Sequence, residues 1–115
     1  MISMTYETDT TLLTHTSEEL VAIIRSAETN EYRQQLAYEQ LFRNLTPIIL
    51  HESEMYRGTM EGYDVQDFLQ IGAITAWEII SRGNYSEEGG KFHTYFGKAV
   101  RQRLAREFRD YALNA

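Results

Sequence analysis

The side chains best suited to chemistry lie near the end of the chain, on one side of a predicted helix. On a helical wheel that advances about 100° per residue, the side opposite the apolar residues carries cations and an amide, with a further cation and an aromatic ring at its margin. These residues, which we call the cationic face, are Lys98, Arg101, Gln102 and Arg109, with Arg106 and Tyr95 at the margin. Lys and Arg neutralise phosphates, Gln can pair with the edge of an adenine, and Tyr can stack on an unpaired base. The pattern predicts a DNA-binding face, and the alternative is an ordinary solvated helix surface.

Charge is divided unevenly along the chain. Residues 1–90 carry 5 Lys and Arg against 15 Asp and Glu, whereas residues 91–115 carry 6 against 2. The net charge of −6 argues against indiscriminate nucleic-acid binding by the chain as a whole. The uneven distribution instead favours one surface for an anion and another for a basic or mixed partner.

A second unusual surface lies on the predicted helix before the basic one. Its core stripe consists of Val65, Phe68, Leu69, Gly72, Ala76, Ile79 and Ile80. Ile74 and Trp77 point away from that stripe and lie near Gln70. Because tryptophan is enriched at binding hot spots, we interpret this side as a protein interface. The alternative is that the helix predicted over 17–29 covers it.

The sequence gives little support for catalysis, metal binding or cofactor binding. His15, His51 and His93 share no metal-ligand spacing, and there is no Gly-rich phosphate loop, nucleophile elbow or cysteine. The acidic cluster Glu61, Asp64 and Asp67 resembles a metal-dependent nuclease site, but helix capping explains its spacing more simply. We therefore predict no catalytic residue, no metal, no cofactor and no enzymatic activity.

The elements that position these surfaces are predicted to be helices. A chain of 115 residues is long enough for one domain, and a single proline leaves most of it free to be helical. Helices are expected over 17–29, 31–45, 47–57, 64–82 and 92–112, with a capping box at Thr16–Glu19, Pro47 in a first turn and Asp64 as an N-cap. The predicted fold is all-α, a single helical bundle of about four to five helices over 17–115 after a flexible N-terminal segment, 1–16.

The cellular location of the protein is predicted from sequence features that are missing. No apolar run approaches the roughly 18 residues of a membrane span, and the first residues do not have the pattern of a signal peptide. The absence of cysteine fits a reducing compartment. We expect a cytoplasmic protein without a membrane partner.

Several short segments, spread over most of the chain, resemble one known family. Residues 67–72 (DFLQIG) are similar to Asp-Leu-x-Gln-Glu-Gly, residues 85–95 (YSEEGGKFHTY) to Phe-Asp-Pro-x-x-Gly-x-x-Phe-Ser-Thr-Tyr, and residues 100–102 (VRQ) to Ile-Arg-Gln. Upstream, residues 17–21 (SEELV) and 37–42 (AYEQLF) look like the family's entry helices. Over about 17–111 the chain resembles region 2 of bacterial RNA polymerase sigma factors, the sigma-70 family.

The resemblance implies a function in transcription initiation. In that family the helix that carries the Asp-Leu-x-Gln-Glu-Gly motif binds the clamp helices of the polymerase β′ subunit. The matching positions here are Asp67, Gln70, Ile71, Ile74 and Trp77. The following loop and helix recognise the promoter minus-ten element and open the strands. The positions that match those for DNA are Phe92, Thr94 and Tyr95 for strand opening and Arg101, Gln102 and Arg106 for backbone and duplex contacts, with Lys98 and Arg109 on the same face.

Departures from the family pattern suggest an alternative function. Ile71 replaces the glutamate of the clamp motif, and Lys98 and Ala99 occupy the places of the paired tryptophans of housekeeping sigma factors. The sequence includes no region for reading the minus-thirty-five element. The alternative is therefore a sigma-like co-regulator or competitor that binds polymerase without opening DNA. An anti-sigma factor or a separate minus-thirty-five-binding protein is a further partner that the resemblance allows.

Overall fold

Four helices make up the regular structure of the described residues. The structure, a computed structural model, describes residues 15–83, 85–86 and 91–114. The helices are α1 (Ser17–Arg25), α2 (Glu31–Ser53), α3 (Val65–Arg82) and α4 (Phe92–Asn114). These residues contain no strand, so the predicted all-α class is confirmed. Within the same residues, none of the helices combines the length and hydropathy that crossing a membrane requires.

The chain divides into two compact units, residues 1–44 and residues 45–115, with the division inside α2. The prediction of a flexible segment over 1–16 falls outside the described residues except at its last two positions. Of those, Thr16 has a defined role as the N-cap of α1. That all of 17–115 forms one domain stays a prediction.

The first unit contains α1 and the beginning of α2. The Thr16 side chain accepts a hydrogen bond from the Glu19 amide, and the Glu19 carboxylate accepts one from the Thr16 amide, which confirms the predicted capping box. The prediction that this helix continues to residue 29 is wrong. Ser26 has an extended backbone and its hydroxyl accepts a hydrogen bond from the Glu28 amide, so a local turn replaces the last helical turn.

α2 continues through Pro47, where a helix start was predicted. The chain forms one helix over Glu31–Ser53 with Pro47 inside it, in place of two helices over 31–45 and 47–57. A proline inside a helix commonly costs about 3 kcal/mol, because it lacks an amide donor and its ring crowds the preceding turn. Here Pro47 is exposed, whereas Leu45 and Ile49 on either side are buried. Burial of that apolar side favours the continuous helix.

Local signals define both ends of α3 in the second unit. The Asp64 side chain accepts a hydrogen bond from the Asp67 amide, and the Asp67 carboxylate accepts one from the Asp64 amide. At the other end Gly83 adopts the left-handed conformation with φ +68°, which glycine tolerates without strain. The predicted N-cap and helix range are confirmed.

α3 and α4 pack against each other and against the last turns of α2. Gly72 of α3 faces the side chain of Ile49 so closely that a Cβ there would overlap it, whereas Gly97 of α4 leaves 3.6 Å to Ile48. The buried residues of α3 differ slightly from the predicted stripe, since Val65 is exposed and Leu69 only half-buried, while Ile71 and Thr75 are buried. The largest fully buried side chains of this unit are Phe68, Phe92, Phe96, Leu45, Ile49, Met60, Leu104 and Val100.

Candidate functional site

The cationic face of α4 is turned to solvent. Of the apolar residues that helical periodicity predicts to face the core, Phe96, Val100 and Leu104 are buried, whereas Tyr111 is only half-buried. On the opposite side the six residues of the cationic face are all exposed: Tyr95, Lys98, Arg101, Gln102, Arg106 and Arg109. A helix whose apolar side is anchored in a core holds its polar side in a fixed orientation. The face can therefore present cations, an amide and a ring together.

Aromatic residues support the beginning of this face. The ring of Tyr95 lies 5.7 Å from that of Tyr85, which in turn lies 5.0 Å from the ring of Phe92. Tyr95 and Thr94 are exposed, but Phe92 is fully buried and stacks on Phe96. The assignment of Phe92 to a DNA-contacting surface is therefore corrected. Phe92 lies one turn before Phe96 on the same side of the helix, and this spacing places it in the core.

One edge of the cationic face is tied to α2. Arg101 donates from Nε and Nη2 to the two carboxylate oxygens of Glu52, each at 3.0 Å. The hydrogen bond from Arg101 lowers the pKa of Glu52 and raises the pKa of Arg101. This two-point pairing gives the guanidinium a defined direction at the border between α4 and α2.

The other edge is tied to α3. Arg103 Nη1 lies 2.9 Å from Glu78 Oε1, Arg82 Nη1 lies 3.3 Å from Glu78 Oε2, and Arg103 Nε lies 3.6 Å from Glu107 Oε1. The hydrogen bond from Arg103 lowers the pKa of Glu78, and the positive charges of Arg82 and Arg106 act in the same direction. Glu78 therefore remains ionised between three arginines.

A cleft lies between α3 and α4. Its volume is about 260 Å³, and its polar lining includes Tyr95, Gln102, Arg103, Arg106, Arg82 and Glu78. Pockets that enclose drug-sized ligands commonly occupy roughly 300–1,000 Å³. The size and the excess of arginine suit a smaller anionic or planar group, such as a phosphate or a single base.

The middle of the cationic face differs from its edges in that its cations form no ion pair within 4.0 Å with a described carboxylate. Among residues 15–83, 85–86 and 91–114, no carboxylate forms an ion pair with Lys98, Arg106 or Arg109. An unpaired surface cation can approach a phosphate without first breaking an ion pair. Within the described residues, the face thus has a central strip of cations outside any ion pair, bounded by the paired Arg101 and Arg103.

The exposed side of α3 has the opposite character. Ile74 is 40% exposed and Trp77 is 56% exposed, and they lie on the same side as Gln70, which is exposed too. We call Gln70, Ile74 and Trp77 the apolar stripe. Exposure of Ile74 and Trp77 is what the sequence predicted, and it leaves their apolar surface available to a partner.

Two of the residues assigned to polymerase binding, Ile71 and Asp67, are not exposed. Ile71 is buried, at 9% exposure, and this corrects its placement on the partner-facing surface. It lies three residues after Phe68 and four before Thr75, so its side chain is in the buried stripe. Asp67 is half-buried, and its carboxylate is engaged by the Asp64 amide in the capping box.

Two members of the acidic cluster, Asp64 and Asp67, are engaged in capping interactions. Asp64 and Asp67 cap α3, while the Glu61 amide donates a hydrogen bond to the Tyr111 hydroxyl at 2.9 Å. No group of three potential metal-ligating side chains occurs in the part of the chain that the structure describes. The capping interpretation of Asp64 and Asp67 is confirmed.

Sequence reasoning missed the carboxylates that flank the cationic face. The pairs Glu78–Arg82 and Arg103–Glu107 have helical i,i+4 spacing and were open to prediction. Glu52 and Arg101 are 49 positions apart, so no local pattern connects them. The packing of α4 beside α2 brings them together.

Comparisons with known proteins add no family to this description. No protein-family model, curated protein or solved structure matches the chain. The similarity of these segments to sigma region 2 stays a resemblance of short motifs.

Proposed function

We propose that this protein is a sigma region 2-like module that binds the β′ clamp helices of RNA polymerase and recognises promoter minus-ten DNA. The proposal depends on one observation: two outward surfaces of different chemistry, the apolar stripe and the cationic face, lie on adjoining helices of one compact unit. The motif resemblance supplies the identity of the partners. Binding, without chemistry, would be its function.

The cationic face supports the DNA part of the proposal. Lys98, Arg106 and Arg109 supply charge for phosphates, while Tyr95 and Gln102 supply stacking and hydrogen bonding to bases. The tyrosine lies at the rim of the 260 Å³ cleft, so a base stacked on it would reach the arginines beyond. Single-stranded DNA is the form that offers unpaired bases to such a surface.

The apolar stripe supports the polymerase part. Its outward side has one large aromatic and one branched aliphatic side chain next to an amide, a composition typical of interface anchors. An extended coiled coil such as the clamp helices presents a side chain pattern with which a single helix can pack. Asp67 would act mainly by capping the start of α3.

A specific observation favours the alternative, a co-regulator that binds polymerase without opening DNA. Phe92 is buried in the core, and Lys98 and Ala99 stand where housekeeping sigma factors have tryptophans. The aromatic set for strand opening is thus reduced to Tyr95 on the described surface of α4. Clamp binding without minus-ten strand binding would select this alternative.

Trp77 allows a direct binding experiment because it is the only tryptophan in the chain. Titration with a β′ clamp coiled-coil fragment should shift its fluorescence emission to shorter wavelengths as the indole leaves water. In parallel, anisotropy with a labelled minus-ten single strand and a scrambled strand tests DNA recognition. Transcription with core polymerase, with and without a separately supplied minus-thirty-five-binding protein, then tests initiation.

The outcomes separate the hypotheses. A blue shift with preference for the minus-ten strand supports the sigma-like module, and a blue shift without strand binding supports the co-regulator. Because the chain is acidic overall, free DNA binding should be weak and should decline steeply with added salt. Tight binding that is equal at low and high salt would contradict the electrostatic basis of the proposal, and an unchanged emission spectrum at saturating clamp fragment would remove the role of Trp77.

A further inference from the structure

Arg101 is held by a carboxylate from a different helix. Its Nε and Nη2 atoms each lie 3.0 Å from an oxygen of Glu52, so the carboxylate and the guanidinium meet along one edge. A planar guanidinium bound at two points cannot swing freely, because both contacts would have to break. Its direction is therefore set by α2 as well as by α4.

Burial of the two partners is unequal. The Glu52 side chain is 14% exposed, whereas that of Arg101 is 66% exposed. The carboxylate is the inner member of the pair, and the guanidinium is the outer one. A guanidinium has five N–H donors, and the two-point pairing uses two of them. Three donors, on Nη1 and Nη2, remain for an acceptor that approaches from solvent.

We infer that Glu52 is a positioning residue that aims Arg101 at a phosphate of the DNA strand on the cationic face. The inference rests on the proposed function and adds to it a residue outside both α3 and α4. Glu52 removes rotational freedom that Arg101 would otherwise lose on binding, so the free guanidinium is preorganised. Lys98 and Arg106, in contrast, have no such support among the described residues.

A positioning role and a purely electrostatic role for Glu52 predict opposite effects of Glu52→Gln on DNA binding. A glutamine retains the shape of the side chain but loses the negative charge and the paired hydrogen bonds. If Glu52 only repelled DNA or masked Arg101, its neutralisation would tighten DNA binding. If it positions Arg101, DNA binding weakens even though the chain becomes less acidic. Glu54→Gln is the matched control, because it removes the same charge from an exposed side chain two residues away.

The test is a double-mutant cycle on the full chain with a fluorescein-labelled minus-ten single strand at low salt. Arg101→Ala should weaken binding by about fivefold, as expected for loss of one charged contact of about 1 kcal/mol. Glu52→Gln should weaken it by about two- to threefold, and Arg101→Ala should then add little in the Glu52→Gln background. Glu54→Gln should leave binding unchanged or slightly tighter.

Two results would overturn the inference: tighter binding by Glu52→Gln, or an undiminished effect of Arg101→Ala in that background. Thermal unfolding of every variant shows whether weaker DNA binding comes from a lost contact or from unfolding. The Arg101→Ala and Glu54→Gln variants are the folded references for the cycle. If wild type binds the scrambled strand equally well, the proposed minus-ten recognition fails, but the cycle still reports phosphate positioning. No binding to either strand overturns both.

Discussion

The buried sides of α3 and α4 are similar in composition, whereas their exposed sides are opposite in chemical character. Each buries a set of core residues that includes a glycine, Gly72 in α3 and Gly97 in α4. On the solvent side, α3 presents Ile74 and Trp77, while α4 presents cations, an amide and a tyrosine. The buried sides are similar because both helices must fill one core, and the exposed sides are free to differ.

The difference identifies where function can be sought in a small helical domain. Substitutions at exposed positions commonly change stability by no more than about 0.5 kcal/mol. Folding therefore does not require a tryptophan on the outside of α3 or a row of cations on the outside of α4. The proposed binding function would explain both surfaces.

The largest effect is expected from Trp77→Ala. Truncation of an interfacial tryptophan commonly costs about 2 kcal/mol or more, which corresponds to roughly a thirtyfold loss of affinity. We expect that loss in calorimetric titration with the β′ clamp fragment, with little change in helix content by circular dichroism. Met55→Ala is the control, because Met55 is an exposed apolar residue outside α3. Unfolding of Trp77→Ala would show that the indole belongs to the core.

The two buried glycines should respond oppositely to alanine. At Gly72 the added methyl group meets the side chain of Ile49, and such overpacking typically costs about 1–3 kcal/mol, of which the higher helix propensity of alanine recovers up to about 1 kcal/mol. At Gly97 the nearest side-chain atom is 3.6 Å away, so the propensity gain should dominate. Urea denaturation should give a lower free energy of unfolding for Gly72→Ala and an equal or higher one for Gly97→Ala. Equal losses at both sites would contradict the described packing.

On the cationic face, Lys98→Ala and Arg106→Ala should each reduce the salt dependence of single-strand binding. Neutralisation of one phosphate contributes a slope of about −0.7 in log affinity against log salt, so each variant should flatten the plot by about that amount. Arg33→Ala removes a cation from the other compact unit and should leave the slope unchanged. A slope that responds equally to all three would mean that net charge alone governs binding.

The smallest effect concerns acid stability. The pKa values of Glu52 and Glu78 are lowered in the folded protein by hydrogen bonds from Arg101 and Arg103. A lowered folded-state pKa stabilises the protein above the unfolded value of about 4.5, and this contribution is lost as the pH falls through the folded-state value. Glu52→Gln and Glu78→Gln should therefore flatten the acid limb of a stability profile measured by thermal unfolding.

The magnitude of this effect is limited because both pairs are partly exposed and screened by solvent. Glu39→Gln serves as the control, since Glu39 is exposed and makes no ion pair with a described residue. The difference between the variants and wild type should shrink in high salt. A profile with the same slope in all variants would mean that neither ion pair contributes to folding.

Much of the local structure could be predicted because its causes are local in sequence. The capping boxes of Thr16 and Asp64 lie within three residues of their partners, and helical periodicity was sufficient to place Phe96 inside and Trp77 outside. The end of α1 was harder to predict from the sequence. A hydrogen bond to the Ser26 hydroxyl and continued helix are both compatible with that sequence.

Tertiary packing decided the remainder. The sequence alone determined that the chain is helical, that α3 carries an exposed apolar stripe and that α4 carries cations opposite its core. Only packing determined that α2 continues through Pro47 and that Glu52 reaches Arg101. Periodicity specifies which side of a helix is apolar, but which neighbour covers each position depends on contacts between residues far apart in the chain.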